Sequence, residues 1–237
     1  MEEITRGRLI ACWAVHLYTS LGLPINLLSL FALVRGDASL FFVLNLAAVA
    51  VDATDGFMAR RLKVKEVIPH FDGAKLDDLI DYLTFTFLPV VAMAYLKLIP
   101  EAWHWSLGVV LIASAYGFSQ TAAKTEDSFV GFPSYWNLVA IHIYLIQPPS
   151  WFSLTVIALC VVCSFIPIHF VYPTRKVELM KTTVIGGVLY GCALAYALFM
   201  PSSEVSVWMS YGSLVYVVYY FALSAYHHVQ VQRAHSS

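Results

Sequence analysis

The sequence reads DATDGFMAR at residues 52–60 and GAKLDDLID at residues 73–81. Each segment borders a long apolar run, so both are predicted to lie at the ends of membrane helices. A helix turns by about 100° per residue, which places Asp52 and Asp55 on one face of the first helix. By the same spacing Asp77 and Asp81 share a face of the second helix, and Asp78 points elsewhere. Four carboxylates are therefore expected to converge where the two faces meet.

The composition is that of a membrane protein. Only 12% of the 237 residues are charged and 59% are hydrophobic, whereas a soluble domain carries roughly 25% charged residues. We predict an all-α integral membrane protein, a bundle of about eight transmembrane helices, folded as one domain over residues 1–237, with no nucleic-acid partner. The N-terminal helix is expected to remain in the protein, because its apolar run is too long for a signal peptide. The predicted spans are 9–34, 38–60, 74–97, 102–121, 132–147, 150–171, 182–200 and 205–229.

The distribution of basic residues predicts the orientation. With the N-terminus in the cytoplasm and the spans alternating, all of the 14 lysines and arginines except Arg35 and Lys97 fall on the cytoplasmic side. Such an asymmetry is typical of cytoplasmic loops. Both termini and the aspartate segments are therefore expected at the cytoplasmic face.

The aspartate segments favour a metal-assisted reaction on a phosphate. Carboxylates in a membrane span are costly and indicate function, and a cluster of them would repel unless cations were bound. Ligation by oxygen alone suits Mg²⁺ or Mn²⁺. Gly56, Ala59 and Gly73 are expected to form a strip without side chains, where helices pack closely and a nucleotide approaches the backbone. Arg60 offers donors for phosphate.

This pattern resembles the signature of the CDP-alcohol phosphatidyltransferase family, over residues 52–81. All of its fixed positions are present, namely Asp52, Asp55, Gly56, Ala59, Arg60, Gly73, Asp77 and Asp81. The connection between Arg60 and Gly73 is longer than in most of that family. In this connection, and in length and number of spans, the chain is similar to the bacterial phosphatidylcholine synthases, which condense CDP-diacylglycerol with choline.

The resemblance implies a role for each matched residue. The four signature aspartates would bind the metal, Mn²⁺ or Mg²⁺ and as two ions. Asp81, with Asp77 beside it, would be catalytic and remove the proton from the alcohol, whose oxygen attacks the β-phosphorus of the CDP-lipid and releases CMP. Whether Asp81 is base, ligand or both stays open here. The residues that would line the CDP site are Asp52, Gly56, Ala59, Arg60, Gly73 and Asp77. The resemblance also implies a homodimer in the bacterial inner membrane, with the active site at the cytoplasmic face.

Choline would require aromatic faces, because a quaternary ammonium has no N–H to donate. Five aromatic residues are predicted near the depth of the aspartates: Tyr82, Tyr116, Tyr135, Trp136 and Tyr172. An interfacial aromatic belt would account for each of them equally well. His16 and Thr19 are candidates for polar residues of the cavity, although hydrogen bonds between helices are the commoner use of such residues.

Two other functions are consistent with the sequence. The same chemistry could use serine, inositol or a glycerol phosphate, but an anionic acceptor would favour a basic pocket within the spans, and no lysine or arginine lies deep in a predicted span. A carboxylate-lined transporter is the alternative from a different class. Transporter sites usually lie near the middle of the membrane between inverted repeats, whereas these aspartates lie at one edge and no repeat is found.

Overall fold

The computed structural model describes residues 5–121, 128–172 and 179–236, with side chains up to residue 233. Within these ranges the chain forms two compact units, which divide between Leu88 and Pro89. The first unit holds the aspartate segments. Its elements are α1 (Arg6–Ser20), α2 (Gly22–Val34), α3 (Ala38–Leu62), α4 (Val64–Val67), α5 (Gly73–Asp81) and a π-helical turn (Tyr82–Phe87).

Local sequence signals account for the helix boundaries of the first unit. The Asp37 side chain caps α3 by accepting a hydrogen bond from the backbone N–H of Leu40 at 2.9 Å, and Asp72 caps α5 in the same way through Lys75. Such caps satisfy N–H groups that have no partner within the helix. Helix α3 ends at Leu62, because the next residue, Lys63, has a left-handed backbone (φ 51°) that terminates the helical pattern. The two N-caps fix where the aspartate-bearing helices begin, and Lys63 fixes where α3 ends.

The interior of the first unit forms where α1, α3 and α4 meet. Cys12 and Val15 of α1 are buried against Val64, Val67 and Ile68, at and just after α4. Helix α3 packs along both α1 and α2, and α5 packs against α1. This packing orders the connection between the two aspartate segments and brings α5 beside the N-terminal helices.

The second unit contains helices and a small sheet. Its elements are α6 (Leu88–Tyr95, which begins in the first unit), a 3₁₀ turn (Glu101–Trp103), α7 (Trp105–Ser119), β1 (Ser128–Val130), α8 (Trp136–Ile146), α9 (Ser150–Phe165), β2 (His169–Val171), α10 (Met180–Phe199) and α11 (Glu204–Ser236). Strands β1 and β2 are antiparallel, with Phe129 opposite Phe170.

The two strands are a difference from the purely helical prediction. The predicted span 150–171 ends early as a helix, at Phe165, because Ile166 has extended backbone and Pro167 follows it. Residues 169–171 then pair with residues 128–130. The predicted span 132–147 begins late, at Trp136, and is the short helix α8.

Helices long and apolar enough to cross a membrane identify an integral membrane protein. Within the described residues there are five of them: Arg6–Val34, Ala38–Leu62, Gly73–Tyr95, Met180–Phe199 and Glu204–Arg233. The other three predicted spans also contain helices, α7, α8 and α9, of 15, 11 and 16 residues. These are shorter than the roughly 20 residues that a typical span needs.

Candidate active site

Helices α3 and α5 bring the four signature aspartates together. Carboxylate oxygens of Asp52, Asp55 and Asp77 lie within 4.8 Å of one another, and those of Asp77, Asp78 and Asp81 do the same. Asp77 belongs to both groups and therefore links them. Asp55 is 5% exposed, so its charge is largely removed from water. The predicted convergence of Asp52 and Asp55 with Asp77 is observed.

Asp78 departs from the prediction that it points elsewhere. Its carboxylate reaches the group formed by Asp77 and Asp81. Helical spacing gives only the direction in which each side chain leaves the helix. Rotation about χ1 can then turn the carboxylates of neighbouring aspartates toward each other. Asp78 is thus an additional acidic residue of the cluster, outside the signature.

A small cavity lies beside the aspartates. Its lining residues come from α1, α2, α3 and α5: Thr19, Gly22, Ala48, Val51, Asp52, Asp55, Asp77, Ile80 and Asp81. Thr19 was a sequence candidate for this position, and His16 is not among the lining residues. Gly22, Ala48, Val51 and Ile80 were not singled out from the sequence. Ala48 lies one helical turn before Asp52, so its small size on the aspartate face was the available signal.

The presence of glycine at position 73 is explained by its contact with the His16 ring. A Cβ atom at Gly73 would lie 2.6 Å from Cε1 of His16 and 3.2 Å from its Nδ1. The imidazole is buried, and the Phe71 ring lies 4.5 Å from it between centroids. The absent side chain at Gly73 therefore makes room for His16, which packs α1 closely against the start of α5.

Gly56 has a different neighbour. A Cβ atom there would lie 3.1 Å from Nη1 of Arg60, one turn further along α3. The guanidinium group thus lies over the bare backbone of Gly56, as the His16 ring does at Gly73, so these glycines do not form the predicted strip without side chains. Gly56 and Arg60, both predicted to line the phosphate site, are therefore adjacent, and Arg60 lies five residues beyond Asp55 on the same helix.

The aromatic candidates are in several environments. Tyr82 begins the π-helical turn of the first unit. In the second unit, Tyr172 stacks on Phe129 at 4.4 Å, and Tyr135 meets the same Phe129 ring edge-on at 6.4 Å. The structure therefore groups Tyr135 and Tyr172 around one ring.

The other two aromatic candidates in the second unit have partners of their own. Trp136 is fully buried and donates its indole N–H to Ser114 Oγ at 2.7 Å, which is the behaviour of a core residue. Tyr116 is exposed and lies 5.0 Å from the ring of Phe165.

The donor set of the aspartate cluster fits a hard divalent cation. Asp52, Asp55, Asp77 and Asp81 supply carboxylate oxygens from two helices, and overlapping sets of these oxygens lie within 4.8 Å. Mg²⁺ and Mn²⁺ are bound by carboxylate oxygens and usually keep further positions for substrate phosphates or water. The cluster therefore offers the ligands that such a cation needs, beside a small cavity.

Replacing Gly73 with alanine should lower the stability of the protein. The added methyl group would overlap the His16 ring, and overpacking typically costs about 1–3 kcal/mol. We expect a lower unfolding temperature in detergent, followed by tryptophan fluorescence. In a His16→Ala background the ring is absent, so adding Gly73→Ala should lower the unfolding temperature much less than it does in the wild type. An equal effect of Gly73→Ala in both backgrounds would contradict the role given to this contact.

Comparisons with known proteins agree with the site. The sequence model of the CDP-alcohol phosphatidyltransferase family matches residues 16–168, which include both aspartate segments. The phosphatidylcholine synthase of Borreliella burgdorferi is 36% identical, over 92% of this chain and 94% of its own. That of Legionella pneumophila is 32% identical, over 94% and 90%, and that of Pseudomonas aeruginosa is 35% identical, over 73% of each chain.

Proposed function

The chain belongs to the CDP-alcohol phosphatidyltransferase family, and from this premise we propose that it condenses CDP-diacylglycerol with choline to give phosphatidylcholine and CMP. The observation that carries the proposal is the agreement between full-length similarity and local geometry. Relatives named phosphatidylcholine synthase match over more than nine-tenths of this chain. The signature aspartates of this same chain meet beside a cavity.

Asp81 is the proposed base. It lines the cavity together with Asp52, Asp55 and Asp77, and accepts the hydroxyl proton of choline. The choline oxygen then forms a bond to the β-phosphorus, the one that carries diacylglycerol, and the bond from this phosphorus to the oxygen bridging to CMP breaks. CMP leaves with that oxygen, and Asp81 gives its proton to solvent. A carboxylate is a weak base for an alcohol, so its placement against the reacting hydroxyl matters.

Asp52, Asp55, Asp77 and Asp81 are the proposed holders of two divalent ions, Mn²⁺ or Mg²⁺. When bound, such ions neutralise charge on the diphosphate and stabilise the charge that develops on the leaving group. The chain's own residues arrange the nucleotide around them. Arg60, whose guanidinium group lies beside Gly56, is the proposed donor to a phosphate oxygen. Ala59 and Gly73 complete the proposed CDP site with Asp52 and Asp77.

The trimethylammonium group of choline is proposed to be held by aromatic faces. Cation–π attraction does not require a donor hydrogen on the cation. Tyr135 and Tyr172, which share Phe129 as a neighbour, are better candidates than Trp136, whose ring is fully buried. Tyr82 and Tyr116 remain in the proposed set.

We further propose that the chain crosses the membrane eight times, with both termini and the active site on the cytoplasmic side. Support comes from the helices found at all predicted spans and from the asymmetry of lysine and arginine. The relatives are bacterial, which favours the bacterial inner membrane. Residues 1–237 are proposed to act as one catalytic domain, and the protein as a homodimer.

The proposal is tested with purified protein, CDP-diacylglycerol, and four acceptors in parallel: choline, serine, inositol and glycerol 3-phosphate. We expect phosphatidylcholine and CMP from choline alone, with no product after chelation of the metal and recovery on addition of Mn²⁺ or Mg²⁺. A lipid product from another acceptor would contradict the choline assignment while preserving the family chemistry. The absence of product from every acceptor, with folded protein and metal, would contradict the proposed function.

A further inference from the structure

The helix that carries Asp77 and Asp81 changes its hydrogen-bonding pattern directly after the acidic cluster. Helix α5 ends at Asp81, and the π-helical turn Tyr82–Phe87 follows without a break. A π turn accommodates an extra residue, so the part of the helix before it is rotated relative to the part after it. Single π turns within α-helices are frequent at functional sites. Here the turn begins at the residue that follows Asp81.

The turn leaves one backbone carbonyl without a partner from the helix. The N–H of Leu88, four residues after Thr84, bonds instead to the carbonyl of Leu83. The residue five positions after Thr84 is Pro89, which has no N–H. A carbonyl left unpaired in the interior of a membrane protein is costly.

Asn45 of α3 satisfies that carbonyl. Its Nδ2 donates to the Thr84 carbonyl oxygen at 2.8 Å, and the side chain is fully buried. Asn45 precedes Asp52 by seven residues, which is two helical turns, so both lie on the same face of α3. The face that carries Asp52 and Asp55 is therefore attached by a side chain to the helix that carries Asp77 and Asp81.

A second asparagine binds the same residue from another helix. Asn26 of α2 donates through Nδ2 to the Thr84 hydroxyl at 2.8 Å and is 4% exposed. One turn earlier on α2, Gly22 lies against Ile80, one turn before Thr84. Thr84, three residues after Asp81, is thus held by α2 through its side chain and by α3 through its backbone.

We propose that Asn45 and Asn26 are positioning residues, which hold the π-helical turn at Thr84 so that the carboxylates of Asp77 and Asp81 face those of Asp52 and Asp55. The inference rests on the proposed function for the role of the aspartates. Neither asparagine lines the cavity, so both act through the turn. Leucine at either position would keep a similar volume and remove the donor, and the freed carbonyl or hydroxyl would shift the turn.

The test measures Mn²⁺ binding directly, by the loss of the electron paramagnetic resonance signal of free Mn²⁺, alongside activity and unfolding temperature. For Asn45→Leu we expect the Mn²⁺ dissociation constant to rise by about 10- to 100-fold, as when residues that orient metal ligands are lost. The kcat should fall, while the KM for choline stays close to that of the wild type. Asn26→Leu should change the same quantities less, because it loses only the hydroxyl contact.

Asn137→Leu is the matched control, since Asn137 is a fully buried asparagine of α8 in the second unit. It should leave Mn²⁺ binding unchanged even if the unfolding temperature falls. If folded Asn45→Leu bound Mn²⁺ as tightly as the wild type, the proposal would be overturned. If Asn45→Leu did not fold, the same result in folded Asn26→Leu would overturn it. An equal weakening in Asn137→Leu would overturn it too. If the wild type made no phosphatidylcholine while Asn45→Leu still lost Mn²⁺, the proposed function alone would fail.

Discussion

Asp81→Asn should lower the rate of phosphatidylcholine formation by about 10²–10⁴-fold, the usual contribution of a positioned general base. The amide keeps the shape of the side chain but cannot accept the proton of choline, and it withdraws one negative charge from the cluster. Initial rates with labelled choline at saturating Mn²⁺ measure the loss. An unchanged unfolding temperature would show that the loss is not one of folding.

Asp78→Asn is the control for that experiment. It makes the same change in the same cluster, because the Asp78 carboxylate also lies near those of Asp77 and Asp81. Asp78 is outside the signature and does not line the cavity, so its replacement should reduce the rate far less. Equal losses in the two variants would mean that the total charge of the cluster matters, and would contradict a specific role for Asp81 as base.

Gly22→Ala should reduce activity by about 10²-fold, the loss expected for a misplacement of about 1 Å. A Cβ atom at Gly22 would lie 2.5 Å from Cγ2 of Ile80, and a β-branched side chain has little rotamer freedom to move away. Ile80 adjoins Asp81 on α5, so the displacement reaches the proposed base. Activity and unfolding temperature of the purified variant check this expectation.

Two further variants separate that contact from a general effect of alanine. Ile80→Leu removes the γ2 methyl group and keeps the side-chain volume, so Gly22→Ala/Ile80→Leu should be more active than Gly22→Ala. Gly191→Ala makes the same change in α10, where a Cβ atom would meet nothing within 4 Å, and should leave activity close to that of the wild type. Failure of Ile80→Leu to improve Gly22→Ala would argue against the contact.

The sequence predicted the aspartate cluster because its geometry is local. Helical spacing alone places Asp52 with Asp55, and Asp77 with Asp81, on common faces, and the structure brings the two faces together. The need for a glycine at position 73 was not predictable in the same way. It depends on His16, which lies far away in the sequence and reaches Gly73 only because α1 packs against α5.

The π-helical turn and the sheet were missed for related reasons. Pro89 within a predicted span was a signal of irregular helix, but the position of the turn depends on donors from Asn45 and Asn26 on other helices. The strands β1 and β2 have three residues each and pair across a long sequence separation. Such short segments carry too little periodicity to be distinguished from the ends of apolar helices.

The most direct test of the central claim follows the oxygen of choline. The purified protein is supplied with CDP-diacylglycerol, Mn²⁺ and choline labelled with ¹⁸O in its hydroxyl group, and the products are analysed by mass spectrometry. Attack of this oxygen on the β-phosphorus predicts phosphatidylcholine that retains the label, unlabelled CMP, and loss of both products in Asp81→Asn. Unlabelled phosphatidylcholine, or phosphatidate together with a choline ester of CMP, would contradict the account.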